Sequence, residues 1–137
     1  MPVVIIGEPV DGTGCLFIQR ESGRGIISAV THLRSLGHKK IAFVGGQPGV
    51  KITSLRLNNY RSALEALGLE YDHNLIALSD YYVWDGYSAM KELLSRDKHF
   101  SAVIAINDAV AIGAQRALAD KEMKVPEDVA IVSCDQF

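Results

Sequence analysis

The stretch FVGGQPGVKITSLRLNNY, residues 43–60, decides how the chain is read. It runs from an apolar β-branched segment through a glycine-rich turn into a stretch of helical period that carries Lys51 and Arg56 near its start. The first turn of a helix exposes unpaired N–H groups and the positive end of the macrodipole, so cations there are mildly unfavourable unless they have a partner. Strand, turn and helix in this order form half of a parallel βαβ unit, and the cations ask for something anionic or hydroxyl-bearing nearby.

The same alternation extends in both directions. PVVII opens the chain, and Ile26, Val30 and Leu33, at i, i+4 and i+7, predict a helix over 22–36 that stops at Gly37. IAFVG (41–45) reads as a strand. The next helix is predicted from about Ser54 to Leu67, with Leu57, Tyr60, Leu64 and Leu67 inward and Gly68 at its end. LIALS (75–79), AVIAI (102–106) and VAIVS (129–133) read as further strands. Between them, Asp85 is a candidate N-cap for a helix with Met90, Leu93 and Leu94 inward and Trp84 and Ala89 as a hydrophobic staple. A last helix is predicted from Ala109 to about Lys121. Four strands, each following a helix, make successive right-handed βαβ units. The expected fold is α/β, a doubly wound parallel sheet in three α/β/α layers. Residues 1–20 fit least well, giving one strand and an irregular extended piece, GEPVDGTGCLFIQ.

Composition narrows the function classes. The 137 residues, 48% hydrophobic and 22% charged, are those of an ordinary globular domain with one core. No segment approaches the roughly 18–20 apolar residues of a membrane span. MPVVIIGEPV lacks a basic leader, which favours a cytoplasmic setting. Cys15 and Cys134 form no CxxC, and the four histidines have no ligand-like spacing, so neither a metal site nor a cofactor is expected. A net charge of −2, with no basic run longer than Lys39-Lys40, argues against a nucleic-acid surface on this chain. Gly49 is followed by Val50-Lys51-Ile52, not by the Lys-Ser/Thr of a phosphate loop, and there is no GxSxG, GxGxxG or HExxH. No catalytic residue is identified.

In an open parallel sheet, ligands bind beyond the carboxyl ends of the strands. The residues that follow the strands include Arg56, Tyr81, Asn107 and Asp135: a guanidinium, an aromatic face, an amide and a carboxylate. Together they suit a hydroxyl-rich ligand, because Asp and Asn bridge neighbouring hydroxyls, Arg donates in a fixed fork, and a ring covers the apolar face of a sugar. Singly, Arg56 also reads as a solvated surface arginine, Asn107 as a helix cap, Asp135 as a turn residue and Tyr81 as a rim aromatic.

HLRSLGHKKIAFVGG, RLNNYRSAL, AIND and VPEDVAIVSCD, in that order, resemble the ligand-binding domain of the LacI/GalR family of bacterial transcription regulators. The resemblance runs nearly end to end. It implies a periplasmic-binding-protein-like (type I) fold of two α/β subdomains around a cleft, and a small effector, a sugar or purine, that changes operator affinity. Residues 1–20 then correspond to a strand and crossover segment from the N-terminal subdomain, and residues 21–137 to the C-terminal effector-binding subdomain. Position by position, Arg56 matches the arginine of RLxGY, Asn107 the asparagine of AND, Asp135 the first acid of GxDD, and Tyr81 an aromatic that packs on effector. Arg56 is thus expected to meet a ligand and Asp135, and its removal to cost binding while sparing the fold. The chain departs from the family pattern at Gly7, Asn59, Ser133, Cys134 and Gln136.

The function implied is the effector-sensing part of a repressor, homodimeric at full length, which meets operator DNA only through an N-terminal helix-turn-helix outside this chain. The alternative is a periplasmic sugar-binding protein of a transport system, which shares the fold. The apolar PVVII strand, lacking its native sheet, is expected to pair with a second chain through residues 3–6.

Overall fold

A computed structural model describes residues 2–6, 11–18 and 22–134. In chain order the elements are β1 (Val4–Ile6), β2 (Leu16–Ile18), α1 (Ser22–Ser35), β3 (Ile41–Val44), α2 (Lys51–Ala66), a 3-10 turn (His73–Leu75), β4 (Ile76–Ala77), α3 (Val83–Ser95), β5 (Ala102–Ala105), α4 (Asp108–Ala119) and β6 (Ala130–Ser133). The main sheet has the order β4-β3-β5-β6, and every pairing in it is parallel. Right-handed crossovers in this order place α2 on one face and α3 and α4 on the other. The predicted doubly wound α/β architecture is the one observed.

The two central strands are buried along their whole length, which is why IAFV and AVIA are uninterrupted apolar runs rather than alternating ones. Ile26, Val30 and Leu33 of α1 are fully buried, as their spacing predicts, and Gly37 at φ +95° turns the chain so that the His38 N–H reaches the Leu33 carbonyl at 3.1 Å. On the opposite face α3 and α4 meet almost backbone to backbone: a Cβ at Gly113 would lie 1.9 Å from the Val83 carbonyl oxygen, and one at Gly86 2.4 Å from the Val110 carbonyl oxygen. The contact lies in the first halves of both helices, which follow β4 and β5.

Several local expectations shift. Helix α2 starts at Lys51, and its buried side chains are Thr53, Arg56, Tyr60, Ala63 and Leu64, with Leu57 and Leu67 only half-buried. The inward stripe therefore begins with two polar residues, which an apolar-periodicity rule does not register. Helix α3 starts two residues ahead of Asp85, with Tyr82 as N-cap; Asp85 instead turns its carboxylate back to accept the Tyr82 N–H at 3.2 Å. Trp84, already inside the helix, is 70% exposed and stacks on Tyr87 with ring centroids 5.0 Å apart, rather than acting as a staple. The extended piece in residues 1–20 contains a second strand: β2 pairs in parallel with β1, Val4 to Leu16 through Ile6 to Ile18. The N-terminal strand thus finds a partner within its own chain, while Val4, Ile6, Leu16 and Ile18 remain exposed.

Candidate functional site

The chain leaves β3 toward β4 on one side and returns to β5 on the other, so strand order reverses between β3 and β5. The crevice at their carboxyl ends is where an open sheet binds ligands. Its floor is Gly45-Gly46, at φ +92° and +93°. The backbone here bends where a side chain has no room: a Cβ on Gly45 would meet Ile106 and Val110 within 3.0 Å, and one on Gly46 would meet Ile106 and Thr53 within 2.9 Å.

Arg56 lies one turn into α2, only 6% exposed, and its Nη1 donates a hydrogen bond to the carbonyl oxygen of Ile106 at the end of β5. One partner of this cation is thus a peptide dipole across the switch point. Tyr81, in the loop between β4 and α3, is half-buried, and its hydroxyl lies 2.9 Å from Thr53 Oγ1. Asn107 bridges two elements. Its Oδ1 accepts the Val110 N–H at 2.8 Å, capping α4, while its Nδ2 donates to the Tyr81 carbonyl at 3.0 Å. The cap noted from sequence is therefore real, and the same amide keeps one donor and one acceptor position for another group. Asp135 lies outside the described residues.

The structure thus brings Arg56, Tyr81 and Asn107 into one hydrogen-bonded cluster with Thr53 and Ile106. Sequence reading missed two members. Ile106 acts through its main chain and has no side-chain signal; Thr53 was legible only as a hydroxyl three residues before Arg56 on the same helical face. At the neighbouring strand end, the Ser133 hydroxyl donates to the Asp108 carboxylate. An open depression of about 320 Å³ lies between α4 and β6, bordered by Asp108, Ile112, Ile131 and Ser133, but Arg56, Tyr81 and Asn107 do not line it. Among the described residues no group of three metal-ligating side chains converges.

Residues 30–137 match the family described as a periplasmic binding protein-like domain. The chain is 39% identical over 98% of its length to the HTH-type transcriptional regulator CelR of Thermobifida fusca, spanning 40% of that protein. It is 35% identical over its full length to the ribose operon repressor of Escherichia coli strain K12, spanning 42% of it. A solved CelR–cellobiose complex superposes with a TM-score of 0.83 at 34% identity, covering 95% of this chain and 40% of that one. The chain therefore spans well under half the length of these relatives. With four ordered motifs, a parallel sheet reversing at the Arg56 site and a family match over most of its residues, the chain belongs to the LacI family of transcription regulators, as part of their periplasmic-binding-protein-like domain.

Proposed function

We propose that the chain is the effector-binding portion of a LacI-type repressor that senses a small hydroxyl-rich molecule such as a sugar. Residues 21–137 serve as the C-terminal effector-binding subdomain, and residues 1–20 belong with an N-terminal subdomain across the cleft. The observation that carries this is the convergence of Arg56, Tyr81 and Asn107 on the switch point between β3 and β5. The guanidinium presents N–H donors in a fixed fork at the switch point, where its Nη1 donates to the Ile106 carbonyl, and in this proposal it also meets Asp135 and a ligand hydroxyl. Tyr81 supplies the ring face against which the apolar side of a sugar packs. Asn107 bridges neighbouring hydroxyls with its remaining donor and acceptor.

In the full-length protein, a cytoplasmic homodimer in this proposal, effector closes the cleft and changes the affinity of a separate DNA-binding segment. Regulators as relatives favour this over a transport protein, and nothing in the cluster pairs a nucleophile with a base. The test is titration calorimetry of the full-length protein with cellobiose, ribose and a purine base, alongside operator binding. Saturable heat from a sugar, together with a change in operator affinity, is expected. Saturation by the purine alone would move the effector class, and sugar binding without any DNA binding would favour the transport alternative.

A further inference from the structure

Resting on the effector-site proposal above, we infer that Thr53 is a positioning residue: its hydroxyl fixes the Tyr81 ring as one wall of the site and joins the two blocks of structure that flank the switch-point crevice. One block is the α3–α4 pair, fused by the Gly86 and Gly113 contacts and by the Asn107 bond to the Tyr81 carbonyl. The other is the β3–α2 segment, with Gly46, Thr53 and Arg56. Two side chains of α2 cross between them, Arg56 to Ile106 and Thr53 to Tyr81.

Thr53 and Arg56 are the buried polar side chains among the described residues. A hydroxyl 1% exposed in otherwise apolar packing is costly unless bonded, and the Tyr81 hydroxyl is the partner present. Packing alone would be met by valine, which has the shape of threonine: the Thr53 methyl and hydroxyl both lie against Gly46, 2.8 and 2.9 Å from where a Cβ there would stand. The hydroxyl matters for Tyr81. That residue stands on a short loop with its ring half-buried, and its neighbour Tyr82, on the same loop, is 73% exposed. Held by its carbonyl at one end and its hydroxyl at the other, the Tyr81 side chain has its rotamer set before ligand arrives, so binding need not order it. The hydroxyl is also engaged with Thr53, so the residue offers a ligand its ring face.

The test uses the full-length protein with Thr53→Val, Thr53→Ser, Tyr81→Phe, the Thr53→Val/Tyr81→Phe pair and Tyr82→Phe, titrated with cellobiose and ribose. Thr53→Val and Tyr81→Phe should each weaken sugar binding by about three- to tenfold, the pair no more than either alone, while Thr53→Ser and Tyr82→Phe stay near wild type. Fluorine NMR of a fluorotyrosine at position 81 supplies a readout independent of ligand. Its resonance should shift and narrow in Thr53→Val and return in Thr53→Ser. An unmoved resonance, or unchanged sugar affinity in Thr53→Val, would overturn the positioning role. If neither sugar binds the wild type yet the resonance behaves as described, the sugar proposal fails and the positioning of Tyr81 stands.

Discussion

The Arg56 guanidinium donates to the Ile106 carbonyl, so the residue that the family pattern assigns to effector is also a fastener between α2 and the end of β5. The two roles cannot be separated by alanine. Arg56→Ala strands a buried carbonyl and removes a charge-assisted bond, and is expected to lower stability by about 2 kcal/mol as well as abolish effector binding. The expectation that its removal spares the fold is revised on this ground. Thermal and denaturant unfolding of the variant check it; an unchanged midpoint would mean the Ile106 bond contributes little.

Two glycines on helices should respond with opposite signs. Gly113→Ala drives a methyl into the Val83 carbonyl and the Tyr87 amide, forcing α3 from α4, and should destabilise by about 3 kcal/mol. Gly25, inside α1, has nothing within 4 Å of where a Cβ would stand. Gly25→Ala should stabilise by about 0.5–1 kcal/mol, because alanine restricts the unfolded chain and favours the helix. Urea unfolding of both variants against wild type measures the contrast.

Tyr60 is fully buried, and its hydroxyl donates to the Ile41 carbonyl at 2.6 Å. Tyr60→Phe keeps the ring contacts with Phe43 and Tyr71 and deletes only that bond, an expected cost of about 1–2 kcal/mol. Burial, first of all, pushes the Tyr60 hydroxyl's ionisation above its ordinary value of 10.0. The folded state thus holds the proton more tightly than the unfolded state. Stability from this source is complete below pH 10 and is lost as pH rises toward the folded value. Alkaline unfolding curves should be steeper in wild type than in Tyr60→Phe.

Asp72 caps the 3-10 turn, accepting the Asn74 N–H at 2.9 Å, and Lys98 lies 3.5 Å away. The Asn74 backbone bond, followed by the Asn74 side chain and the Lys98 charge, holds its carboxyl below the ordinary 3.8, against an opposing effect of burial. The unfolded state then binds the proton first, so this contribution is present above pH 3.8 and fades as pH falls through the lower folded value. Asp72→Asn, which keeps an acceptor but not the charge, should flatten the acid limb of a stability-versus-pH profile; an unaltered limb would place the acid sensitivity elsewhere.

Legibility from sequence followed the kind of signal each element carries. The central strands and α1 announce themselves because their burial is wholly apolar and periodic: IAFV, AVIA, and Ile26-Val30-Leu33. Arg56, Tyr81 and Asn107 were legible as polar residues at strand ends. Helix starts at Lys51 and Val83 were not, since Val50 makes no side-chain capping bond and the Asp85 carboxylate works from inside the helix. β2 escaped because three residues between turns carry too little periodicity, and its pairing with β1 is a long-range event. Thr53 escaped because a buried hydroxyl matters only through a partner 28 positions away.

The β1–β2 pair carries a consequence for handling the protein. Parallel strands are ordinarily covered on both faces, and a two-stranded sheet is marginal by itself, yet here Ile6 and Leu16 stand 75% and 70% exposed. Such a ribbon is adhesive: its outer strand edges and oily faces accept any extended chain that meets them. Loss from solution of the isolated 137-residue chain should therefore rise steeply with concentration. A single lysine at the exposed Ile6 is the economical remedy.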